Sequence, residues 1–432
     1  MYKALLLSAA LLFAYVGREP LALPLTSGMT PTESTASNPA LAAFGRGLEA
    51  LNGNDLDGAE RAFKEALEAD PKLQVAAMSL ADVALRRGRD DDVRKWLDRA
   101  HEINPKGVEI DIAWARYHYA RREFGKAEAL LKAAAKNHPD AFLPRVDLGE
   151  LSLNQLNKPQ QAIDAYRAAA RLDPEHAGAR FGLGIALARA GKPGEAIEAL
   201  RESARLDPSN ALPLRGIAQV HLAQQRAQEA LSAYGEAIKR QPDAAQLFVE
   251  RGHVHGAAGE QAKALADFDH ALRLEQKNVD ALLARAMTLQ QMNKPQAAQE
   301  AYLAVLAINP KHAPSYNNLA WIAVEQNTQL DDALKWATKA NELAPDQALF
   351  LDTLGWVQRA RGDLAGAADT LENAVRQAPE YADSHYHLGV VYSERSQPQR
   401  AAEMFDKALT LAPNAPNAAD AKRRLEELRP RD

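Results

Sequence analysis

The sequence contains no cysteine, few aromatic residues and no excess of either charge. Without cysteine, disulfide bonds, thiolate nucleophiles, cysteine-ligated zinc and a lipid-modified N-terminal cysteine are all excluded. The 52 basic and 57 acidic residues are interspersed, so the concentrated positive surface that nucleic acid requires is missing. Aromatic residues make up only 6%, whereas Ala and Leu are abundant, which favours closely packed helices over a sheet. The composition therefore predicts an all-α protein that does not bind nucleic acid.

The N-terminus carries a short apolar segment. Thirteen mostly apolar residues, 4–16, follow Lys3, which is the length of the hydrophobic part of a signal peptide and short for a membrane span. The best candidate cleavage site, residues 26–28, lies late, so an uncleaved anchor and a buried start of the first helix remain alternatives. We predict a signal peptide or N-terminal anchor in residues 1–28 and a flexible leader rich in Pro, Ser and Thr in residues 29–39. The chain is then expected to be exported to the periplasm, either free or tethered to the inner membrane through residues 4–16.

The rest of the chain is divided by proline into units with a period of 34 residues. The units end at Pro71, Pro105, Pro139, Pro174, Pro208, Pro242, Gln276 in place of proline, Pro310, Pro345, Pro379 and Pro413. Single insertions precede Pro174 and Pro345. A fixed period in this range predicts a helical solenoid of eleven units, because each unit buries its core only against its neighbours.

Each unit has two halves with different patterns. The first half places a large residue beside a small one, as in Leu354-Gly355 and Leu388-Gly389, so that two helix backbones can approach closely. The second half places Ala, an aromatic residue or Leu, and Ala at i, i+4 and i+7, on one helix face. Examples are Ala162-Tyr166-Ala169 and Ala401-Phe405-Ala408.

These motifs resemble the tetratricopeptide repeat (TPR), and the resemblance covers residues 40–413. It implies a right-handed superhelical solenoid of antiparallel helix pairs, about eleven units long. After the array, residues 414–432 are expected to form a C-terminal capping helix and tail, since apolar and charged residues alternate there with helical spacing.

No catalytic, cofactor or metal site is predicted. No Gly-rich phosphate loop is present, and the pairs His253/His255 and His385/His387 have i, i+2 spacing, which points their imidazoles to different sides of a helix. The sequence therefore indicates a non-enzymatic protein without a cofactor or a small-molecule substrate, whose partner is another protein.

The candidate binding residues lie on the first helix of each unit, which lines the concave side of such a stack. Positions separated by three or four residues share one stripe of that helix. In the last units the stripe carries Asn317, Trp321, Asp352, Trp356, Arg359 and Tyr386, and in the early units Phe44, Met78, Ile112, Tyr119 and Phe181. Trp, Tyr and Arg often dominate binding energy. Two interpretations stay open for each group, because the tryptophans and the early apolar residues either bind a partner or pack between neighbouring helices.

The phrases around Trp321 and Trp356 also resemble repeats of bacterial envelope proteins of this family, including those of exopolysaccharide production and the exosortase system. The resemblance implies a protein–protein interaction scaffold of the bacterial cell envelope, which holds a partner in its groove during assembly, secretion or surface deposition. One alternative is a permanent structural subunit that organises a larger enzyme complex or polymer. A cytosolic co-chaperone that binds C-terminal carboxylates is a third hypothesis, and it has less support because only Asn317 and Arg359 suit that role.

Overall fold

The computed structural model describes residues 38–428. Residues 1–37 and 429–432 lie outside the described residues, and with them the predicted signal peptide or anchor (residues 1–28) and most of the predicted leader. Within residues 38–428 every element of regular secondary structure is a helix. None of these helices combines the length and the apolar character that a membrane crossing requires.

Between residues 38 and 428 the helices form eleven consecutive pairs and a final single helix. The pairs are α1 (Pro39–Asn52) and α2 (Leu56–Ala69), α3 (Gln74–Arg86) and α4 (Asp90–Ile103), α5 (Val108–Ala120) and α6 (Phe124–Asn137), α7 (Leu143–Asn154) and α8 (Pro159–Leu172), α9 (Ala177–Arg189) and α10 (Pro193–Leu206), α11 (Leu212–Ala223) and α12 (Ala227–Arg240), α13 (Ala245–Ala257) and α14 (Gln261–Leu274), α15 (Val279–Gln291) and α16 (Pro295–Ile308), α17 (Ala313–Glu325) and α18 (Leu330–Leu343), α19 (Ala348–Ala360) and α20 (Leu364–Gln377), and α21 (Ala382–Glu394) and α22 (Pro398–Leu411). The last helix is α23 (Ala418–Leu428). The predicted all-α solenoid of helix pairs is confirmed.

The stack divides into two compact units between Gln241 and Pro242. Unit 1 contains α1 to α12, and unit 2 contains α13 to α23. Inside each unit a helix packs on the helix before it and on the helix after it, so the hydrophobic core is a continuous line of side chains between successive helices. The candidate site described below belongs to unit 2.

The pairing of large and small residues explains how two helices of a pair approach each other. In the last pair, Phe405 and Ala401 on α22 are fully buried and Ala408 is 5% exposed. On α21, a Cβ atom added at Gly389 would lie 2.8 Å from the Phe405 ring, closer than van der Waals contact allows. The small residue of the first helix therefore makes the space that the aromatic residue of the second helix fills.

The turn inside a pair depends on residues that tolerate a left-handed backbone. Gly191 and Asn293 have φ angles of 73° and 54°, in the region that Gly and Asn adopt with least strain. Pro193 and Pro295 then occupy the first positions of α10 and α16. Proline suits this position because the first N–H groups of a helix have no partner within the helix. These short steps fix where the first helix ends and the second begins.

Candidate functional site

Three of the predicted groove residues in unit 1 are buried. Phe44 is 4% exposed, and its ring packs on that of Phe63 with 5.5 Å between the centroids. Met78 is 3% exposed and Ile112 is fully buried. These three side chains belong to the hydrophobic core, so the packing interpretation describes them. The sequence of one helix does not show how deeply the neighbouring helix covers its stripe.

The other two predicted residues of unit 1 are half-buried. The Tyr119 hydroxyl accepts a hydrogen bond from the Gln155 Nε2 atom at 2.9 Å, and its ring lies 5.6 Å from that of Phe124. Phe181 lies on α9 and keeps part of its side chain at the surface. Tyr119 and Phe181 therefore remain available at the first-helix surface, the side of the stack that the first helices of the pairs form.

In unit 2, three successive first helices bring several predicted residues together in one group. We call Trp321 on α17, Asp352, Trp356 and Arg359 on α19, and His387 on α21 the tryptophan cluster. The His387 imidazole stacks on the Trp356 ring at 4.2 Å with 26° between the planes, and it lies 5.9 Å from the Trp321 ring. The sequence predicted four of these residues as site residues and did not predict His387.

A buried, hydrogen-bonded pair of side chains fixes the centre of the tryptophan cluster. The Asp352 carboxylate is 2% exposed, and its two oxygens lie 3.0 and 2.9 Å from His387 Nδ1. His387 is 6% exposed. A buried carboxylate is tolerated only when a donor or a positive charge compensates its desolvation. The pair therefore holds His387, and with it the stacked Trp356 ring, in a defined orientation.

Arg359 covers the Trp356 ring from the same helix. Its guanidinium carbon lies 4.3 Å from the ring centroid, within the range of a cation–π contact. The Arg359 Nε atom also donates to both oxygens of Glu394, at 3.0 Å each. Trp356 thus makes two stacking contacts inside the chain, which favours packing as its main role. Within residues 38–428, Trp321 contacts one other ring, that of His387, and no cation lies over its face.

Tyr386, the last predicted residue, contacts the final helix. Its hydroxyl donates to Asp420 Oδ2 at 2.7 Å, which joins α21 to α23. Burial raises the pKa of Tyr386 to about 12, with a further contribution from the Asp420 carboxylate. Burial alone would raise the pKa of Asp420, but hydrogen bonds from Tyr386, Arg424 and Arg423 outweigh it and lower that pKa to about 2. Tyr386 is therefore part of the contact that closes the stack.

Acidification is expected to loosen α23. The folded chain lowers the pKa of Asp420 from its ordinary value of 3.8, so the ionised carboxylate stabilises the folded state. That contribution is complete above about pH 4 and disappears as the pH falls to about 2. Because the Asp420 side chain is 32% exposed, solvent screens it in part, and we expect the ionised carboxylate to contribute about 1–2 kcal/mol to the free energy of unfolding.

The measurement is amide hydrogen exchange in α22 and α23 of the wild-type chain and an Asp420→Asn variant. The difference in protection between the two proteins should be present at pH 5 and close to zero at pH 2. A difference that stays constant over this range would contradict the assignment.

One polar and one apolar residue are related to Trp321 by their positions on the first helices. Asn317, one turn before Trp321 on α17, is 6% exposed, and its Oδ1 atom has no hydrogen-bond partner in the described part of the chain. Met287 holds the equivalent position to Trp321 one repeat earlier, on α15, and is 40% exposed. Exposed apolar and half-buried aromatic side chains at equivalent positions of successive first helices are common features of protein-binding surfaces.

The arrangement supports binding better than chemistry. Between residues 38 and 428, no three His, Asp or Glu side chains lie close enough together to hold a metal ion. No hydroxyl group in the described part of the chain bonds to the Asp352–His387 pair, so a third member of a nucleophilic triad is missing there. What the site offers is a rigid aromatic surface with charged groups at its edge.

The fold and the site define a helical-repeat protein. Models described as tetratricopeptide repeat match residues 44–108, 151–211, 215–279 and 353–416, and further models with the same description match residues 279–312 and 301–335. Together these matches cover more than half of the sequence. The chain belongs to the tetratricopeptide repeat family, whose members generally mediate protein–protein interactions.

Among characterised relatives, a TPR repeat-containing protein of Pseudomonas aeruginosa is 27% identical over 118 residues, which are 27% of this chain and 20% of that protein. The probable UDP-N-acetylglucosamine–peptide N-acetylglucosaminyltransferase SPINDLY of Hordeum vulgare is 27% identical over 138 residues, 30% of this chain and 14% of that protein. Cellulose synthase operon protein C of Xanthomonas axonopodis is 29% identical over 160 residues, 35% of this chain and 10% of that protein. The matches thus span a fifth or less of the length of these relatives.

Solved structures of repeat proteins are also similar. A tetratricopeptide repeat protein of Parabacteroides merdae has a TM-score of 0.44 at 19% identity, and the match covers 58% of this chain and 98% of that one. YrrB, described as a TPR protein with an unusual peptide-binding site, has a TM-score of 0.38 at 23% identity, with 45% of this chain and 99% of that chain covered.

Proposed function

We propose that this chain is a non-catalytic scaffold of the bacterial cell envelope, which holds a protein partner on its first-helix surface during assembly, secretion or surface deposition. The observation that carries the proposal is the half-buried Trp321 of the tryptophan cluster, together with the exposed Met287 at the equivalent position one repeat earlier. Binding energy is commonly concentrated in a few aromatic residues with fixed orientation, because such residues lose little conformational entropy on association. The mechanism is shape and a few strong contacts, without bond chemistry.

Two observations support the envelope setting. The apolar residues 4–16 after Lys3 have the pattern of an export signal or a short anchor. Two of the relatives are bacterial, and one is named for a cellulose synthase operon. We therefore propose export to the periplasm, with the inner membrane as the site of any anchor.

A second candidate function is a permanent subunit that organises a larger enzyme complex. The observation that favours it is the match to segments of much longer proteins, one of which is named as a glycosyltransferase. Under this function the partner would be part of an obligate interface, which is larger and more apolar than a transient one.

Photo-crosslinking of the full chain in bacterial cells tests the proposal. A benzophenone amino acid replaces Met287 on the first helix of its pair, and a matched control replaces Leu303 on the second helix. The two positions are 40% and 43% exposed, so they differ in location far more than in accessibility.

We expect a discrete crosslinked protein from Met287 that is absent from Leu303, in the envelope fraction. Equal crosslinking from both positions would contradict the first-helix surface as the binding site. A product in the cytosolic fraction alone would contradict the envelope setting, and a complex that resists dissociation at nanomolar concentration would favour the permanent subunit.

A further inference from the structure

Unit 1 contains a second group of charged residues on the first helices α5 and α7. Arg116 binds Asp147 through two hydrogen bonds, Nε to Oδ2 at 2.7 Å and a terminal nitrogen to Oδ1 at 3.1 Å. Arg116 is 9% and Asp147 is 3% exposed, so the pair is buried. A two-bond geometry of this kind satisfies the carboxylate fully. The guanidinium of Arg116 is therefore paired with Asp147.

Glu150 lies one turn after Asp147 and has no such partner. It is half-buried on α7, and its carboxylate forms no hydrogen bond or ion pair with any residue between 38 and 428. Burial and the charge of Asp147 raise the pKa of Glu150, while Arg116 acts in the opposite direction. Two carboxylates thus share the neighbourhood of one guanidinium, and the second of them lacks a donor.

Tyr166 on α8 brings a hydroxyl group to the same place. A Cβ atom added at Gly149 or Gly182 would lie 2.8 or 2.4 Å from Cζ of Tyr166, the atom that carries the hydroxyl. The ring therefore occupies the space between α7 and α9 that these two glycines leave open. The phenol lies within reach of both carboxylates, since burial and the charges of Glu150 and Asp147 raise the pKa of Tyr166, an effect that the charge of Arg189 opposes.

The hydroxyl of Tyr166 has no hydrogen-bond partner within the described residues, although the residue is only 6% exposed. Tyr302 holds the equivalent position on α16, four helix pairs later. Its hydroxyl donates to Gln290 Oε1 at 3.0 Å and accepts from Asn318 Nδ2 at 2.9 Å. The Tyr166 oxygen, by contrast, keeps some surface accessible to solvent. It is therefore open to a hydrogen bond from a group that arrives from outside the chain.

We propose that Glu150 and the Tyr166 hydroxyl form a recognition site for an arginine or lysine side chain of a protein partner. The inference rests on the proposed function, since it names the chemistry of a partner held on the first-helix surface of unit 1. A guanidinium carries five N–H donors and no acceptor, so it satisfies the Glu150 carboxylate with two donors and the phenol oxygen with another. Burial and, to a smaller extent, the charge of Glu150 raise the pKa of Tyr119, so the two side chains are near each other. The half-buried Tyr119 ring therefore offers apolar contact to the aliphatic stem of the bound side chain.

A basic side chain fits this site better than a metal ion. A divalent cation prefers several oxygen ligands, and Asp147 is already occupied by Arg116. No group of three metal-binding side chains occurs in the part of the chain that the structure describes. The acceptor oxygens of Glu150 and Tyr166 therefore match the N–H donors of a basic side chain.

The test uses the full chain and immobilised heptapeptides with random flanks and one fixed central residue. The fixed residues are arginine, lysine, norleucine and glutamate. We expect the wild-type chain to bind the arginine and lysine sets roughly tenfold more than the norleucine set, as a buried charge pair implies. Glu150→Gln should abolish this preference. The matched control is Glu198→Gln, which makes the same change of charge at an exposed position on α10 and should leave the preference unchanged.

Tyr166→Phe separates recognition from folding, because it removes only the unpartnered hydroxyl. We expect it to lower the preference by about threefold with an unchanged thermal unfolding midpoint. Equal binding of all four sets by the wild-type chain, or a preference that survives Glu150→Gln, would overturn the inference. Binding without a cationic preference would leave the scaffold function intact and overturn this inference alone. Loss of the preference in millimolar Mg²⁺ at constant ionic strength would assign the site to a metal instead.

Discussion

Replacing Arg116 with leucine is expected to lower the free energy of unfolding of unit 1 by about 3–5 kcal/mol. The variant leaves the Asp147 carboxylate 3% exposed and without the two hydrogen bonds that now compensate its burial. An isolated buried charge is far more costly than the loss of a single neutral hydrogen bond. The effect should be largest in α5 to α8, since repeat proteins transmit a local change mainly to neighbouring repeats.

The measurement is urea unfolding combined with amide hydrogen exchange of these four helices. A double variant, Arg116→Leu with Asp147→Leu, supplies the matched control. It removes both charges and should recover most of the loss, because replacing a buried ion pair by apolar residues is often neutral. If the double variant is as unstable as the single one, the unpaired carboxylate is not the cause.

Replacing His387 with alanine is expected to have a similar effect in unit 2. It leaves Asp352, which is 2% exposed, without its donor, and it removes the ring on which Trp356 stacks. We expect a loss of about 3–5 kcal/mol in the repeats around α19 and α21, together with a shift in tryptophan fluorescence.

His385→Ala is the comparison for this variant. His385 is 4% exposed, on the same helix, and its Nε2 atom lies 2.9 Å from the Pro379 carbonyl oxygen. It should cost less, about 1–3 kcal/mol, because no buried carboxylate is left unpaired. Equal losses from the two histidines would show that ring volume, and not the hydrogen bond to Asp352, governs the stability of this region.

Much of the fold could be predicted from the period of the sequence. The 34-residue spacing of the prolines and the pattern Ala401-Phe405-Ala408 specify where helices begin and which face they bury, because both are local properties of the chain. The neighbourhood of Trp321 and Trp356 was also predictable, since equivalent positions of successive repeats lie side by side.

The remaining features depend on contacts between different repeats. His387 was judged by its spacing from His385 within one helix, whereas its partner Asp352 lies on the preceding first helix. Repeat spacing could have found the pair. Tyr386 holds the position of Asp352 one repeat later, so His387, the next residue, is expected to lie near Asp352. Phe44 was placed in the groove because periodicity cannot distinguish a face covered by the next helix from one open to a partner.

The role of the final helix was also out of reach. Its charged residues suggested a solvated cap, but Asp420 accepts a hydrogen bond from Tyr386 on α21 as well as one from Arg424 on its own helix. The geometry of that contact requires the helix to be docked, and a linear sequence does not specify docking.

Binding of a protein partner at Trp321 is tested most directly by comparing two affinities. These are the affinities of the partner identified by crosslinking for the wild-type chain and for a Trp321→Ala variant. Trp96→Ala, at a half-buried tryptophan on the second helix α4, is the matched control. Titration calorimetry on the purified proteins, each with wild-type helical content, gives the dissociation constants. We expect the dissociation constant to increase at least about 30-fold for Trp321→Ala and to stay unchanged for Trp96→Ala. Equal dissociation constants for all three proteins would contradict a binding surface at Trp321.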